Sequence, residues 1–246
     1  FNGDGWIDVA FPVFNAEKVA IFWNGPAGFV ADRRTDLPTR SAVALEVADL
    51  NGDGYLDLIV PNLLDKSPPA DSKSRAFGGS PEGDTFIYWG SAAGYGVDRR
   101  TVLPTNGAED VAVADLNNDG RLDVAISAYH GGTRRDFPSY IYWQGPNGFD
   151  RNDVTMLETN SASGVMVADY NADGWPDLLF ANHTKDGNHR NDSYLYWGDP
   201  QGFSPRSRLS LPAKGPHFMT VTAAGNINDR RPSYSYLSPV KKISGA

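Results

Sequence analysis

One nine-residue pattern, Asp-x-Asn-x-Asp-Gly-x-x-Asp, occurs three times in the chain and constrains its fold more than any other feature. The copies begin at Asp49, Asp115 and Asp169, and each leads into an apolar run. A second pattern, a Trp followed five residues later by Gly and six later by Phe or Tyr, precedes each copy at a fixed distance of 26 residues. The chain is therefore an array of repeats, 54 to 66 residues long.

Each repeat holds several short apolar runs, separated by turn residues and without helical periodicity, which is typical of a propeller or a similar β-array. We predict four antiparallel strands per repeat: an inner strand before the acidic loop (110–114, 164–168), a second after it (122–128, 176–181), a third ending at the Trp, and an outer strand. The predicted fold is all-β, a β-propeller of four-stranded antiparallel blades. We expect about four blades over residues 1–231, with the first and last incomplete, and a linker or the start of a further domain over 232–246.

The acidic loops have the composition of calcium sites. Ca²⁺ takes six to eight oxygen ligands, and carboxylates on alternate residues of a tight turn can converge on one ion. The first, third, fifth and ninth side chains and the seventh backbone carbonyl are the expected ligands, which predicts three complete sites. The ligands are Asp49, Asn51, Asp53, Tyr55 and Asp57; Asp115, Asn117, Asp119, Arg121 and Asp123; and Asp169, Asn171, Asp173, Trp175 and Asp177. A half-pattern made of Asn2, Asp4, Trp6 and Asp8 predicts a partial fourth site.

Composition excludes several classes of partner. The formal net charge of −8 argues against nucleic acid, because phosphate binding needs clustered Lys and Arg. Three calcium ions would bring that formal charge to −2. There is no apolar stretch near 18 residues, so we expect no membrane span. The chain has no cysteine, which excludes disulfides, a thiolate nucleophile and a cysteine-based zinc site.

The repeats differ mainly between the second and third strands, at residues 61–85, 129–139 and 182–193. In an antiparallel blade these segments lie at the end opposite the acidic loops, where ligand binding is expected. They are also compatible with plain solvated loops, since loops tolerate insertions at little cost. The candidate ligand-face residues are Tyr129, His130, Arg134, Arg135, His183, Lys185, His189 and Arg190.

The acidic loop and the Trp-x-x-x-x-Gly-Phe element together resemble the FG-GAP or VCBS repeat, the calcium-binding blade of integrin α-subunit propellers and of many secreted proteins. The resemblance implies a partial set of a seven-bladed ring, with the missing blades supplied by the rest of a longer chain or by oligomerisation. It also implies an extracellular or cell-surface location. Residues 225–231 stand where another loop would be, but Gly225 replaces the first Asp, so no calcium is expected there.

For function, the resemblance implies a calcium-stabilised module that binds a glycan or a protein through the variable loops. The alternative is the propeller part of a secreted polysaccharide-degrading enzyme such as a lyase, in which His or Tyr would abstract a proton beside an Arg or Lys. No hydrolase or nucleotide-binding motif is present, and the sequence identifies no catalytic residue. The repeated Trp residues could stack on sugars, but their recurrence in every repeat favours packing between blades.

Overall fold

The computed structural model describes residues 1–63, 83–129, 137–185, 187–217 and 219. These residues form four antiparallel sheets in which strands adjacent in sequence are paired; the first sheet has three strands and the others have four. The strands are β1 Val9–Val13, β2 Lys18–Phe22 and β3 Arg34–Pro38 in the first sheet; β4 Glu46–Ala48, β5 Asp57–Val60, β6 Thr85–Tyr88 and β7 Arg100–Leu103 in the second; β8 Ala108–Ala114, β9 Asp123–Ala128, β10 Ser139–Gly145 and β11 Gly148–Leu157 in the third; and β12 Ala162–Ala168, β13 Asp177–Asn182, β14 Ser193–Tyr196 and β15 Arg208–Leu211 in the fourth.

The all-β prediction and the four-stranded blade are confirmed, because each acidic loop joins the first and second strands of its sheet. The strand after the loop begins one residue later than predicted, at Asp123 and Asp177, and the inner strands begin two residues earlier, at Ala108 and Ala162. In the fourth sheet the reason is that Pro176 has no N–H to donate to the ladder. A 3₁₀ turn at Phe14–Ala16 is the one helical element in the described part of the chain.

The hydrophobic core lies between neighbouring sheets, as it does where propeller blades pack face to face. Each of three clusters of buried side chains combines residues of two consecutive sheets. Ile21 of the first sheet packs with Leu58 of the second, and Leu103 of the second lies in one cluster with Ile126 of the third. Leu157 of the third sheet is clustered with Phe180 of the fourth. Every sheet is thus held by its neighbour.

The repeated Trp residues belong to this packing. Trp23 stacks on Tyr95 of the next sheet, and Trp143 stacks on Phe203 of the next sheet, with ring centroids 6.4 Å apart in both pairs. The indole N–H of three of them donates to a Thr hydroxyl on the outer strand of the same sheet, at 2.9 to 3.0 Å. The prediction that these residues pack between blades is therefore confirmed at both stacked pairs.

A second link between sheets comes from the Tyr directly before the Trp. Tyr196 donates its hydroxyl hydrogen to the backbone carbonyl of Glu158, just beyond the outer strand of the preceding sheet, at 2.6 Å. Tyr88 makes the same bond to Pro38, and Tyr142 makes it to Pro104. The sequence analysis did not identify this link, which ties each four-stranded sheet to the one before it.

Several predicted features lie outside the described residues. They are His130, Arg134, Arg135, most of the 61–85 segment, the altered loop at 225–231 and the tail at 232–246. Where the chain is described, none of its helical structure is long and apolar enough to cross a membrane.

Candidate metal sites and ligand surfaces

The acidic loops, hereafter the aspartate loops (49–57, 115–123 and 169–177), are closed by hydrogen bonds from backbone N–H groups to carboxylates. In the first loop the two oxygens of Asp49 accept the N–H groups of Asp53 at 3.1 Å and Gly54 at 2.9 Å, and Asp53 accepts the N–H of Tyr55 at 2.9 Å. Gly54 has φ of 89°, in the left-handed region that favours glycine. The same three bonds recur at 2.9, 2.8 and 2.9 Å in the second loop and at 3.1, 2.9 and 2.8 Å in the third.

The ninth residue of each loop fastens the loop to the third strand of its own sheet. Asp57 is fully buried, and its two oxygens accept the N–H of Leu50 at 2.9 Å and of Gly90 at 2.8 Å. Gly90 directly follows the repeated Trp, so one carboxylate joins both repeated patterns. The corresponding sets are Asp123 with Leu116 and Gln144, Asp177 with Tyr170 and Gly198, and Asp8 of the half-pattern with Phe1 and Asn24.

Burial makes the ninth carboxylates of the three aspartate loops unusually weak acids. Burial, together with the smaller effect of the other carboxylates of the same loop, raises the pKa of Asp57 to about 6 and that of Asp123 to about 7. The pKa of Asp177 is raised for the same reasons. The backbone N–H groups oppose this effect without cancelling it. A cation among the loop carboxylates would offset this cost of ionising the buried Asp.

The donor set of each loop fits calcium, because all of its ligands are hard oxygen atoms within nine residues. Asn51 already presents its side-chain oxygen to the N–H of Asp53 at 2.9 Å, while its Nδ2 donates to the Asp53 carboxylate at 3.1 Å. Across the described ranges, no three His, Asp or Glu side chains are arranged so as to hold a metal ion. To hold calcium, the predicted side chains would have to rearrange from these hydrogen bonds so that their oxygens converge on one ion.

At the opposite end of the sheets, which we call the variable-loop end, three of the predicted ligand-face residues come together. The ring of His183 lies 5.6 Å from that of Tyr129 and 4.5 Å from that of His189. A fourth residue, His217, was not predicted; its ring lies 3.7 Å from that of His183. We refer to these four residues as the histidine cluster. His217 lies beyond the outer strand β15, and its only signal in the sequence is that the chain has just four histidines.

The histidine cluster has a buried centre and exposed flanks. His183 and Tyr129 are 7% and 8% exposed, whereas His189 and His217 are exposed. The Nδ1 of His183 is 3.0 Å from the carbonyl oxygen of Gly215, which joins the 183–193 segment to the 213–217 segment. Burial, followed by the neighbouring His217 and His189, lowers the pKa of His183, so this imidazole is neutral near neutral pH.

The surroundings of the cluster are of mixed charge and contain unused polar groups. Lys185, Arg190 and Lys214 are exposed on the same two segments. The sequence of the 183–193 segment also carries Asp186 and Asp192. Three buried groups of the 183–193 segment, Thr184 Oγ1, Asn191 Nδ2 and Ser193 Oγ, have no hydrogen-bond partner. Lys185 and Arg190, both predicted as ligand-face residues, are thus exposed on the segment that carries His183 and His189.

Two protein-family models match the chain. The model described as FG-GAP-like repeat covers residues 1–60, which include the half-pattern, the first sheet and the first aspartate loop. The model described as FG-GAP repeat covers residues 107–142, which include the inner strand, the aspartate loop and the second strand of the third sheet. Both matches fall on the parts that the sequence and the sheets repeat, and we conclude that the chain contains FG-GAP-type repeats and that its four-stranded antiparallel sheets are blades of the β-propeller kind.

Proposed function

We propose that this chain is an extracellular, calcium-stabilised β-propeller module that binds a glycan or a protein at the variable-loop end, with the histidine cluster at the centre of the binding surface. The observation that carries the proposal is the convergence of Tyr129, His183 and His189 with His217. Tyr129 and His183 occupy the same position of successive repeats, where Phe14 and Leu63 stand in the first two sheets and Leu63 packs with Tyr129. What the other described repeats do not share is the pair of imidazole rings that His189 and His217 place beside His183.

The aspartate loops are the proposed calcium sites. Their buried ninth carboxylates are costly to ionise, and a divalent cation would relieve the repulsion among the three Asp of each loop. Sites of this kind in extracellular modules bind as weakly as about 10⁻⁴–10⁻³ M and are still filled at extracellular calcium concentrations. The role of the ion in this proposal is to stabilise the blades and not to contact the ligand.

The chemistry of the variable-loop end favours an acidic glycan among the ligands considered. Imidazole and phenol rings offer faces for sugar rings together with polar edges for hydroxyl groups. Lys185, Arg190 and Lys214 add positive charge that would attract uronate carboxylates or sulfates. A neutral His183 also retains one ring nitrogen as an acceptor for a hydroxyl group.

The test is a binding screen of the calcium-loaded chain against acidic and neutral glycans, followed by titration calorimetry of the best ligand. His189→Ala and His217→Ala change exposed side chains and should each weaken binding at least tenfold with little effect on the unfolding midpoint. Arg206→Ala, on an exposed turn of the fourth sheet at the other end, is the matched control and should bind normally. Wild-type affinity in both His variants would contradict the proposed surface.

A second candidate function is the propeller part of a polysaccharide lyase, and it is favoured by the 5.6 Å separation of the Tyr129 and His183 rings. In such a reaction a base removes the proton from C5 of a uronate and a C4–C5 double bond forms. The bond from C4 to the glycosidic oxygen breaks, and that oxygen takes up a proton from a general acid or from water. Incubation with uronate-containing polysaccharides, monitored by the ultraviolet absorbance of the unsaturated product, separates the two functions. Binding without product supports the binding module, and product formation that His183→Ala abolishes supports the enzyme.

A further inference from the structure

The chain that follows the outer strand β15, residues 213–217, crosses the variable-loop end of its own sheet. We refer to this segment as the strap. Gly215 donates its N–H to the carbonyl oxygen of Asn191 at 3.4 Å, and its own carbonyl oxygen lies 3.0 Å from Nδ1 of His183. Ser163 donates from Oγ to the carbonyl oxygen of Pro216 at 3.0 Å. The strap is thus attached both to the 183–193 segment and to the inner strand β12.

Gly215 lies so close to the backbone of the 183–193 segment that the strap has no room to shift gradually. Its φ is 68°, in the left-handed region that favours glycine. A Cβ at this position would collide with the carbonyl oxygens of His183 and His189. Closely packed contacts of this kind switch between discrete arrangements and do not deform continuously. The strap is therefore either seated on the segment or lifted from it.

Three imidazole rings meet where the strap is seated. The ring of His183 is the buried one; that of His217, on the strap, lies 3.7 Å from it, and that of His189 lies 4.5 Å from it. Only the fourth described sheet has, at the His183 position, a side chain that gains charge near neutral pH. The residues at this position in the first three sheets are Phe14, Leu63 and Tyr129.

The surroundings of His183 disfavour its protonation. Burial is the largest cause that lowers the pKa of His183, and His217 is the next. The hydrogen bond to the Gly215 carbonyl raises the pKa but does not cancel these effects, and His189 lowers it further. The other charged residues of the two segments are the exposed Lys185, Arg190 and Lys214, the half-buried Asp192, and Asp186, which lies outside the described residues.

We propose that the histidine cluster is a pH-operated latch for the strap, closed while its imidazoles are neutral and opened in mild acid when they gain protons. Positive charges on His189 and His217 repel each other across the buried ring of His183. The folded state binds fewer protons at His183 than the unfolded state because its pKa is lowered. The seated strap is therefore most stable above the ordinary His pKa of about 6.5 and loses stability as the pH falls below it.

Buried polar groups beside the strap reduce the cost of opening it. Thr184 Oγ1 and Asn191 Nδ2 have no hydrogen-bond partner while the strap is seated. Water that enters when the strap lifts would supply partners for both groups. The consequence for a ligand rests on the proposed function: a glycan or protein bound across the histidine cluster at neutral pH would be released at about pH 5.5.

Hydrogen exchange followed by mass spectrometry tests the latch without a ligand and thus separately from the proposed function. The chain is compared in millimolar calcium at pH 7.5 and pH 5.5, with correction for the intrinsic pH dependence of exchange. The strap should lose protection about tenfold or more at the lower pH, whereas strand β13 should not. The double variant His189→Gln with His217→Gln removes the two exposed imidazoles. Lys185→Gln with Lys214→Gln removes two exposed charges from the same segments and is the matched control.

We expect the strap of the histidine variant to stay protected at both pH values and that of the control to open in acid like the wild type. In NMR spectra of the ring C–H groups, the titration midpoint of His183 should rise in the histidine variant, and an unchanged midpoint overturns the inference. Equal protection of the wild-type strap at both pH values also overturns it, and so does acid opening that persists in the histidine variant. A strap already unprotected in that variant at pH 7.5 overturns it as well, because the rings would then act by contact and not by charge.

Discussion

At the scale of the residue, small departures from the repeat explain why two buried hydroxyl groups lack a hydrogen-bond partner. In two sheets a hydroxyl on the third strand meets a Thr hydroxyl beyond the outer strand. In the first sheet the corresponding positions hold Val19 and Thr39, and in the fourth they hold Ser193 and Ala213, so the Thr39 and Ser193 hydroxyls have no partner. The intact pairs are Thr85 with Thr105 at 3.1 Å and Ser139 with Thr159 at 2.8 Å.

Replacing the apolar member of the first pair should restore the hydrogen bond. Val19 is fully buried, and Val19→Thr would place a hydroxyl opposite Thr39. A Thr buried without a partner costs about 1–3 kcal/mol, and the restored bond should offset most of this cost. We expect chemical denaturation to show that Val19→Thr lowers the free energy of unfolding by less than about 0.5 kcal/mol. The control Val124→Thr, equally buried in the third sheet, should lose more than about 1 kcal/mol. Equal losses would contradict the pairing.

A second residue-scale prediction concerns Glu109 on the inner strand β8. Burial, together with the smaller effect of the neighbouring Asp110 carboxylate, raises the pKa of its carboxyl to about 8. The ordinary pKa of Glu in an unfolded chain is about 4.3, so between these values the folded state binds the extra proton and stability falls as pH rises. Glu109→Gln should therefore match the wild type at pH 4.5 and unfold about 2–4 °C higher at pH 8, which corresponds to about 1 kcal/mol.

The measurement is a series of thermal unfolding curves in chelator from pH 4.5 to pH 8.5. Asp153→Asn, at an exposed acid of the third sheet, serves as the control and should run parallel to the wild type. If Glu109→Gln shifts the unfolding midpoint by the same amount at pH 4.5 and at pH 8.5, ionisation of this carboxyl is not the cause of the shift.

At the scale of the element, the aspartate loop forms a turn and also anchors that turn to the third strand of its sheet. Its first and fifth carboxylates close the turn locally, whereas the ninth joins the turn to the third strand across 21 to 33 residues of sequence. The ninth carboxylate therefore attaches strands without needing a cation, whereas the exposed fifth carboxylate can change without unpairing buried N–H groups.

This separation can be measured in the third loop. Asp177→Ala leaves the N–H groups of Tyr170 and Gly198 without their acceptor, and we expect it to lower stability by at least about 2 kcal/mol even in excess chelator. Asp173→Ala, which changes an exposed member of the same loop, should cost less than about 1 kcal/mol in chelator. Both variants should lose the stabilisation that calcium adds. Equal costs in chelator would contradict the fastening role.

At the scale of the whole molecule, neighbouring sheets stabilise each other. A change that destabilises one loop should therefore also destabilise the core between its sheet and the adjoining sheet. Trp stacking, the Tyr hydroxyl bonds and the buried clusters all cross from one sheet to the next. In arrays of this kind the stability is approximately the sum of the unit and interface contributions. Calcium bound in one loop is therefore expected to stabilise the neighbouring blades as well.

Chelation provides the test at this scale. Thermal unfolding of the chain in millimolar calcium should occur at a higher temperature than in excess chelator, and magnesium at the same concentration should restore little of the difference, because it demands a near-ideal octahedral geometry. At free calcium about 100 times the dissociation constant, each site adds about 2.7 kcal/mol. Identical midpoints with and without calcium would reject calcium as a ligand of these loops.

The sequence by itself determined the repeat, the all-β class, the four-stranded blade and the local closure of the aspartate loops. These depend on residue type and short spacing: Asp49 reaches N–H groups only four and five residues away, and alternating apolar runs favour strands wherever they occur. Only the tertiary structure decided which distant groups meet. Gln144 reaches Leu50 across 94 residues because consecutive sheets pack against each other. His217 lies beside His183 because the segment after β15 passes over the end of its own sheet. No local pattern encodes either contact. Such contacts depend on the orientation of one sheet against the next, which is set by the sum of many buried contacts and not by any residue at the site itself.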